Sequence, residues 1–282
     1  MAEFARCVAE IPAFLRDDGA LDYDAVRNAA VRLAAAGWRS VAVAGLWSGE
    51  YDNLTCGEQT ALIRAASEAG VEVCAGALEV GTDKARLRIA EHADAGCHRH
   101  ICVCSHFFSI NCDDELKRHF DILGEADPRG RLIIADSRPH TGLLLSPTMI
   151  ATLAAQGNTL LIEAPDVAAT LRLPSGFPVL VREELSLAGF IAFARISRLA
   201  VLFPRLMASP EKPSAPVRRA LLEILATGPH PASGVKYAAW RLGLCQSPRL
   251  LPPSVDLKEE ERTAIDAALA AVSAETEGER HD

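Results

Sequence analysis

At 282 residues the chain is long enough for one α/β barrel of ~250 residues or for two smaller domains, and length alone does not choose between them. A formal net charge of -8 without any block of Lys or Arg excludes a nucleic-acid or anionic-membrane partner, both of which need clustered positive charge, and leaves a small molecule or a protein. No run of ~18 apolar residues occurs, and "MAEFARCVAEIPAFLRDDG" has no basic segment ahead of an unbroken apolar core, so neither membrane insertion nor export is signalled and a cytoplasmic location is expected.

From the start to about residue 208, apolar β-rich runs alternate with helical patterns, which predicts a parallel sheet of βα units. The first strand is "RCVAEIPAF" (6–14), followed by a helix that Asp22 caps, with Tyr23, Val26, Ala30 and Leu33 on one face and Gly37 at its end. "SVAVAGLWS" (40–48) leads to a helix over 55–69, "VEVCAGAL" (71–78) to one over 82–95, and "HRHICVCSH" (98–106) to one over 113–125. "RLIIADS" (131–137) precedes a helix that Ser146 and Pro147 begin and that runs to 155. "NTLLIEAP" (158–165), "FPVLVREE" (177–184) and "GFIAFARIS" (189–197) complete eight strands, with only short helical pieces, "DVAATLRL" and "LSLA", after the sixth and seventh. Eight parallel strands suggest closure into a (β/α)8 TIM barrel, which removes both sheet edges. "SPEKPSAP" (209–216) reads as a linker between a barrel over 1–208 and an extension over 209–282. The extension contains three helices, "VRRALLEILAT", "ASGVKYAAWRLGL" and "KEEERTAIDAALAAV", and "SAETEGERHD" reads as a frayed polar end.

Eight cysteines without a CxxC pair, in a chain too large to need staples, read as free and mostly buried thiols in a reducing compartment. His98, His100, Cys102, Cys104 and His106 share parity on the fourth strand, so all five fall on one of its faces. Spread along a strand, with about 13 Å between residues 98 and 102, they cannot meet at one ion. Cys102 and Cys104 read as core-sized side chains, His98 and His100 as hydrogen-bonded residues near the barrel floor, and His106 as an acid or base near the mouth. A zinc ion on Cys104 and His106 would need two further ligands, the candidates by position being Cys74, Cys112 and Asp136.

Four stretches resemble the dihydrodipicolinate synthase and N-acetylneuraminate lyase family. "DDGALDYDAVRNAAVRLAAAG" is similar to the family's lead into its first helix, and "GLWSGEYDNLTCGEQTALIRAA" to its G-T-T-G-E turn and following helix. "DSRPHTGLLLSP" is similar to Y-N-x-P-x-R-T-G-x-x-L-S-P, and "HPASGVKYAAWRLGL" to N-P-x-P-x-K-x-A-L-x-x-x-G-L. The likeness spans nearly the whole chain. It implies a TIM barrel, a homodimer or homotetramer, a small carboxylate or keto-acid ligand and no cofactor.

The resemblance also implies class I aldolase chemistry, in which a lysine ending strand six forms an imine with a keto acid and a strand-five tyrosine relays protons. Here "LLIEAPD" puts Ile162 or Glu163 where that lysine stands, Ala135 matches the tyrosine, Trp47 matches the first threonine of the turn, and Phe107 or Phe108 matches the neighbouring subunit's tyrosine. The five lysines, Lys84, Lys117, Lys212, Lys236 and Lys258, all lie away from predicted strand ends, so a Schiff-base mechanism is not expected.

The residues expected at the C-terminal, catalytic face are Ser48, Glu50, Glu79, His106, Asp136, Arg138, His140, Glu163, Asp166, Arg182, Glu183 and Glu184. Ser48 and Gly49 match the family's carboxylate-binding turn, and His140 replaces the arginine that meets a distal carboxylate, with Arg138 two residues earlier. The expected ligand-binding set is Trp47, Ser48, Gly49, Asp136, Arg138, His140 and Arg182, and no metal is expected, because the spacing of Glu79, Asp136 and Glu163 does not demand one. Trp47 fills space that a substrate would need, or turns outward into a subunit contact. Two functions follow: a barrel that binds a small acid or a protein partner without catalysis, or a carbon-carbon or carbon-oxygen lyase whose proton transfers have moved to Glu163 and His106, with His140, with or without a metal's assistance.

Overall fold

The computed structural model describes residues 7–105, 112–162, 179–187, 195–209 and 211–278. Eight parallel strands close into a barrel in chain order: β1 (Val8–Glu10), β2 (Ser40–Val43), β3 (Glu72–Ala77), β4 (Arg99–Val103), β5 (Arg131–Asp136), β6 (Thr159–Ile162), β7 (Val179–Arg182) and β8 (Arg195–Ser197). Closure comes from β8, which pairs with β1 through Val8 and Ile196. All eight lie inside the predicted runs. Strand seven ends at Arg182, so Glu183 and Glu184 start a five-residue helix instead of extending the sheet.

The outer layer contains α1 (Tyr23–Ala35), α2 (Cys56–Ser67), α3 (Thr82–Asp94), α4 (Asp113–Ala126), the short α5 (Arg138–Thr141), α6 (Pro147–Ala155) and α7 (Glu183–Leu187). Their starts follow local chemistry. Asp22 accepts the Ala25 N–H at 3.0 Å, Ser146 caps α6 ahead of Pro147, and Thr55 with Glu58 forms a reciprocal capping box on α2. The piece "DVAATLRL" lies outside the described residues.

Alternation along each strand separates two apolar layers. Val8, Ala42, Cys74, Ile101, Ile133, Leu161, Leu180 and Ile196 fill the barrel, one from each strand. Their neighbours, such as Val41, Cys102, Ile134 and Val181, pack under the helices. Beyond the barrel, α8 (Ala215–Ala226), α9 (Ser233–Arg241) and α10 (Glu259–Gly278) place Leu221, Val235 and Ile265 in one apolar cluster with Leu33 of α1 and Ala200. The expected frayed end is instead helical through residue 278, continuing α10. Among the described residues no helix is long and apolar enough to cross a membrane, and all eight cysteines are free thiols.

Candidate functional site at the barrel mouth

Parity places the residues above the core. In β1, Val8 faces the lumen and Ala9 the helix layer, so Glu10 follows Val8 inward at the C-terminal end. There its carboxylate meets the turn that follows β2. Glu10 Oε1 accepts three consecutive backbone N–H groups, from Trp47 at 3.1 Å, Ser48 at 3.0 Å and Gly49 at 3.3 Å. Successive N–H groups converging on one point form an anion-binding concavity, and here the chain itself supplies the anion. The turn is built for this close approach: a Cβ at Gly45 would fall on the Glu10 carboxylate, and one at Gly49 on the Gly45 backbone. Ala44 and Glu50 flank it at φ +46° and +49°, strained values for residues with side chains.

Glu10 is fully buried. Burial raises its pKa, opposed by the nearby Arg198 charge and by the three N–H groups. Among the described residues, Glu10 Oε2, Ser48 Oγ and Trp47 Nε1 are buried without a hydrogen-bond partner. Trp47 is 2% exposed and packs on the lumen cluster, so its indole is turned into the barrel rather than out to a subunit contact. The Arg182 guanidinium lies over that indole, 5.5 Å from the ring centroid.

Among the described residues, most of the remaining charges at this end are paired. Arg182 and Arg198 both bond Glu184, while Glu183 accepts Arg198 Nε at 3.1 Å, Ser197 Oγ at 2.7 Å and the backbone N–H of Arg198 and Leu199. Glu50 is buried against Lys236 Nζ at 2.6 Å, and that ammonium also donates to Ala13 O at 2.8 Å. Glu79 accepts from Arg88 at 2.9 Å and from the Tyr51 hydroxyl at 3.2 Å. Arg138 is exposed at the start of α5. Asp136 sits on the strand face opposite the lumen-facing Ala135 and accepts the Leu145 N–H at 2.9 Å. The side chain of His140, and residues His106, Phe107, Phe108, Glu163 and Asp166, lie outside the described set.

The expected site residues therefore divide. Trp47, Ser48, Gly49 and Arg182 gather at the mouth, whereas Asp136 faces the helix layer and Arg138 is exposed. Glu50 was expected at this face, but its partner Lys236, like Glu10 and Arg198, was not anticipated. The available signal for Glu10 was a carboxylate at an inward parity position of an otherwise apolar strand, where an unmatched charge is costly.

Cys102 of β4 and Cys104 just past its end both pack in the helix layer, while Ile101 and Val103 face the lumen. Cys104 is thus not a lumen residue, and Cys74, which is one, faces away from it. Lower on the strand, His98 Nδ1 and His100 Nε2 both meet Asp127 Oδ2, at 2.7 and 3.1 Å. Among the described residues no group of three or more His, Cys, Asp or Glu is arranged to hold a metal ion. None of the five lysines lies on a strand: Lys84 is in α3, Lys117 in α4 and Lys236 in α9, with Lys212 and Lys258 outside regular elements.

No family model matches this sequence, and no curated protein matches it. Solved structures do match in three dimensions. Dihydrodipicolinate synthase from Cyanidioschyzon merolae with lysine bound superposes with a TM-score of 0.81 at 20% identity, over 96% of this chain and 99% of that one. A prophage protein of the dihydrodipicolinic acid synthase family from E. coli K12, in complex with pyruvate, gives 0.80 at 17% identity, over 96% and 99%. A catalytic-lysine mutant of the Ruminococcus gnavus sialic acid aldolase gives 0.82 at 12% identity, over 99% and 98%. At these identities the likeness establishes a shared fold, barrel and helical extension together.

Proposed function

We propose that this chain is a diverged relative of the dihydrodipicolinate synthases and sialic acid aldolases that does not run Schiff-base chemistry and holds a small carboxylate or keto acid at the barrel mouth without turning it over. The observation that carries this reading is the contact of one carboxylate oxygen with the N–H groups of Trp47, Ser48 and Gly49. The turn is shaped to receive a carboxylate, and it lies where barrels of this fold bind their ligands. The absence of imine chemistry is supported by the position of the lysines. The amine must stand at a strand end over the lumen, and Lys236, the one buried lysine, is committed to Glu50 and Ala13. Binding of pyruvate by the E. coli relative supports the ligand class.

The same reading places the protein in the cytosol, in keeping with its eight free thiols. It also includes assembly as a homodimer or homotetramer. The test of the chemistry is borohydride reduction in the presence of pyruvate, read by intact mass. No lysine adduct is expected, and an adduct on any of the five, or turnover of a keto acid, would overturn the proposal. The test of binding is the melting temperature across a panel of keto acids and sugar acids, in which at least one member should raise it.

A further inference from the structure

The carboxylate that fills the receptor turn belongs to the protein, and an apolar side chain at residue 10 would have closed the lumen at lower cost. A carboxyl group carried into a fully buried position is disfavoured by desolvation, and Glu10 bears this with one of its two oxygens unpartnered among the described residues. What a carboxylate offers there, and a leucine does not, is an acceptor matched to three N–H groups, with Arg198 close enough to add attraction. The turn is correspondingly specific: Gly45 is bare against the carboxylate, and Gly49 is bare against Gly45. Ser48 Oγ and Trp47 Nε1 add two buried donors that have no partner among the described residues.

We propose that Glu10 is an internal ligand of the Trp47–Gly49 turn, and that a free monocarboxylate of acetate or pyruvate size binds there only in place of the Glu10 carboxylate. This rests on the reading of the mouth as a carboxylate site and adds its regulation. The competitor is intramolecular, present at high effective concentration, and sets how weakly external acids bind.

The test uses the full chain with acetate as probe and chloride at equal ionic strength as control. Glu10→Ala removes the internal carboxylate and leaves space for an acetate. Its melting temperature should rise by roughly 5 °C when acetate is in about 100-fold excess over its Kd. The natural protein should not respond at that concentration, nor should Glu10→Gln, which keeps the turn filled by an isosteric acceptor. If Glu10→Ala fails to fold alone, recovery of its circular-dichroism spectrum on refolding with acetate, and not with chloride, supports the proposal. A variant that acetate neither stabilises nor rescues overturns it, as does a natural protein that responds to acetate as strongly as Glu10→Ala. These outcomes are separate from those of the binding reading. If acetate stabilises Glu10→Ala while no acid in the panel stabilises the natural protein, the internal ligand stands and the binding function falls.

Discussion

His92 is buried in α3, its Nε2 3.2 Å from Gln59 Oε1 and its ring stacked on His100 with centroids 6.3 Å apart. Burial, then the neighbouring His100 and Arg88, lower its pKa to about 3. A base whose folded pKa lies below its unfolded one leaves the unfolded chain holding more protons in acid, so the stability it contributes is lost as pH falls from about 6.5 toward that value. Asp127 acts in the same direction. Burial raises its pKa, but the hydrogen bonds from His98 and His100 outweigh that and hold it low, so its contribution also fades on acidification. Urea unfolding from pH 7 to pH 4 should therefore show stability falling by about 1 kcal/mol per pH unit for the His92 contribution, and His92→Gln should flatten that limb. The two floor histidines were legible as hydrogen-bonded residues, because paired polar groups on a buried strand need a common acceptor. That the acceptor would be Asp127, about thirty residues along the chain, is a tertiary fact.

At the scale of elements, the turn after β2 is held from two sides, by Glu10 from β1 and by Lys236 from α9. The Lys236–Glu50 pair is wholly buried and links the C-terminal extension to the mouth of the barrel. Glu50 also accepts the Leu251 N–H at 2.6 Å, so its carboxylate anchors a second segment of the extension. Lys236→Met preserves most of the side-chain volume while stranding a buried carboxylate, and should cost about 3–5 kcal/mol in denaturant unfolding. A loss below about 1 kcal/mol would show that the pair does not hold the turn. Element positions were readable because their signals are local: Asp22, Thr55 with Glu58, and Ser146 with Pro147 mark helix starts wherever the helix is placed. The orientation of β4 was not. Parity puts His100, Cys102 and Cys104 on one face, but only the closed sheet determines that this face meets the helices and not the lumen.

Across the whole molecule, the largest apolar cluster runs from Ala9 and Val41 of the barrel through α1 and α2 to Leu221, Val235 and Ile265 of the extension. A chain ending at residue 208 would expose the barrel side of that cluster to water and forfeit the Lys236 anchor. It should fail to give a cooperative thermal transition, and recovery of one would show that the barrel carries its own core. The sequence by itself determined eight strands in order, the helices after the first five of them, the three helices of the C-terminal extension, and the placement of every lysine off the strands, since periodicity, caps and composition are properties of neighbouring residues. Only the tertiary structure decided what fills the mouth. Glu10 and the Trp47–Gly49 turn are more than thirty residues apart, and whether three backbone N–H groups meet a substrate or the chain's own carboxylate depends on barrel closure, which brings β1 beside β2.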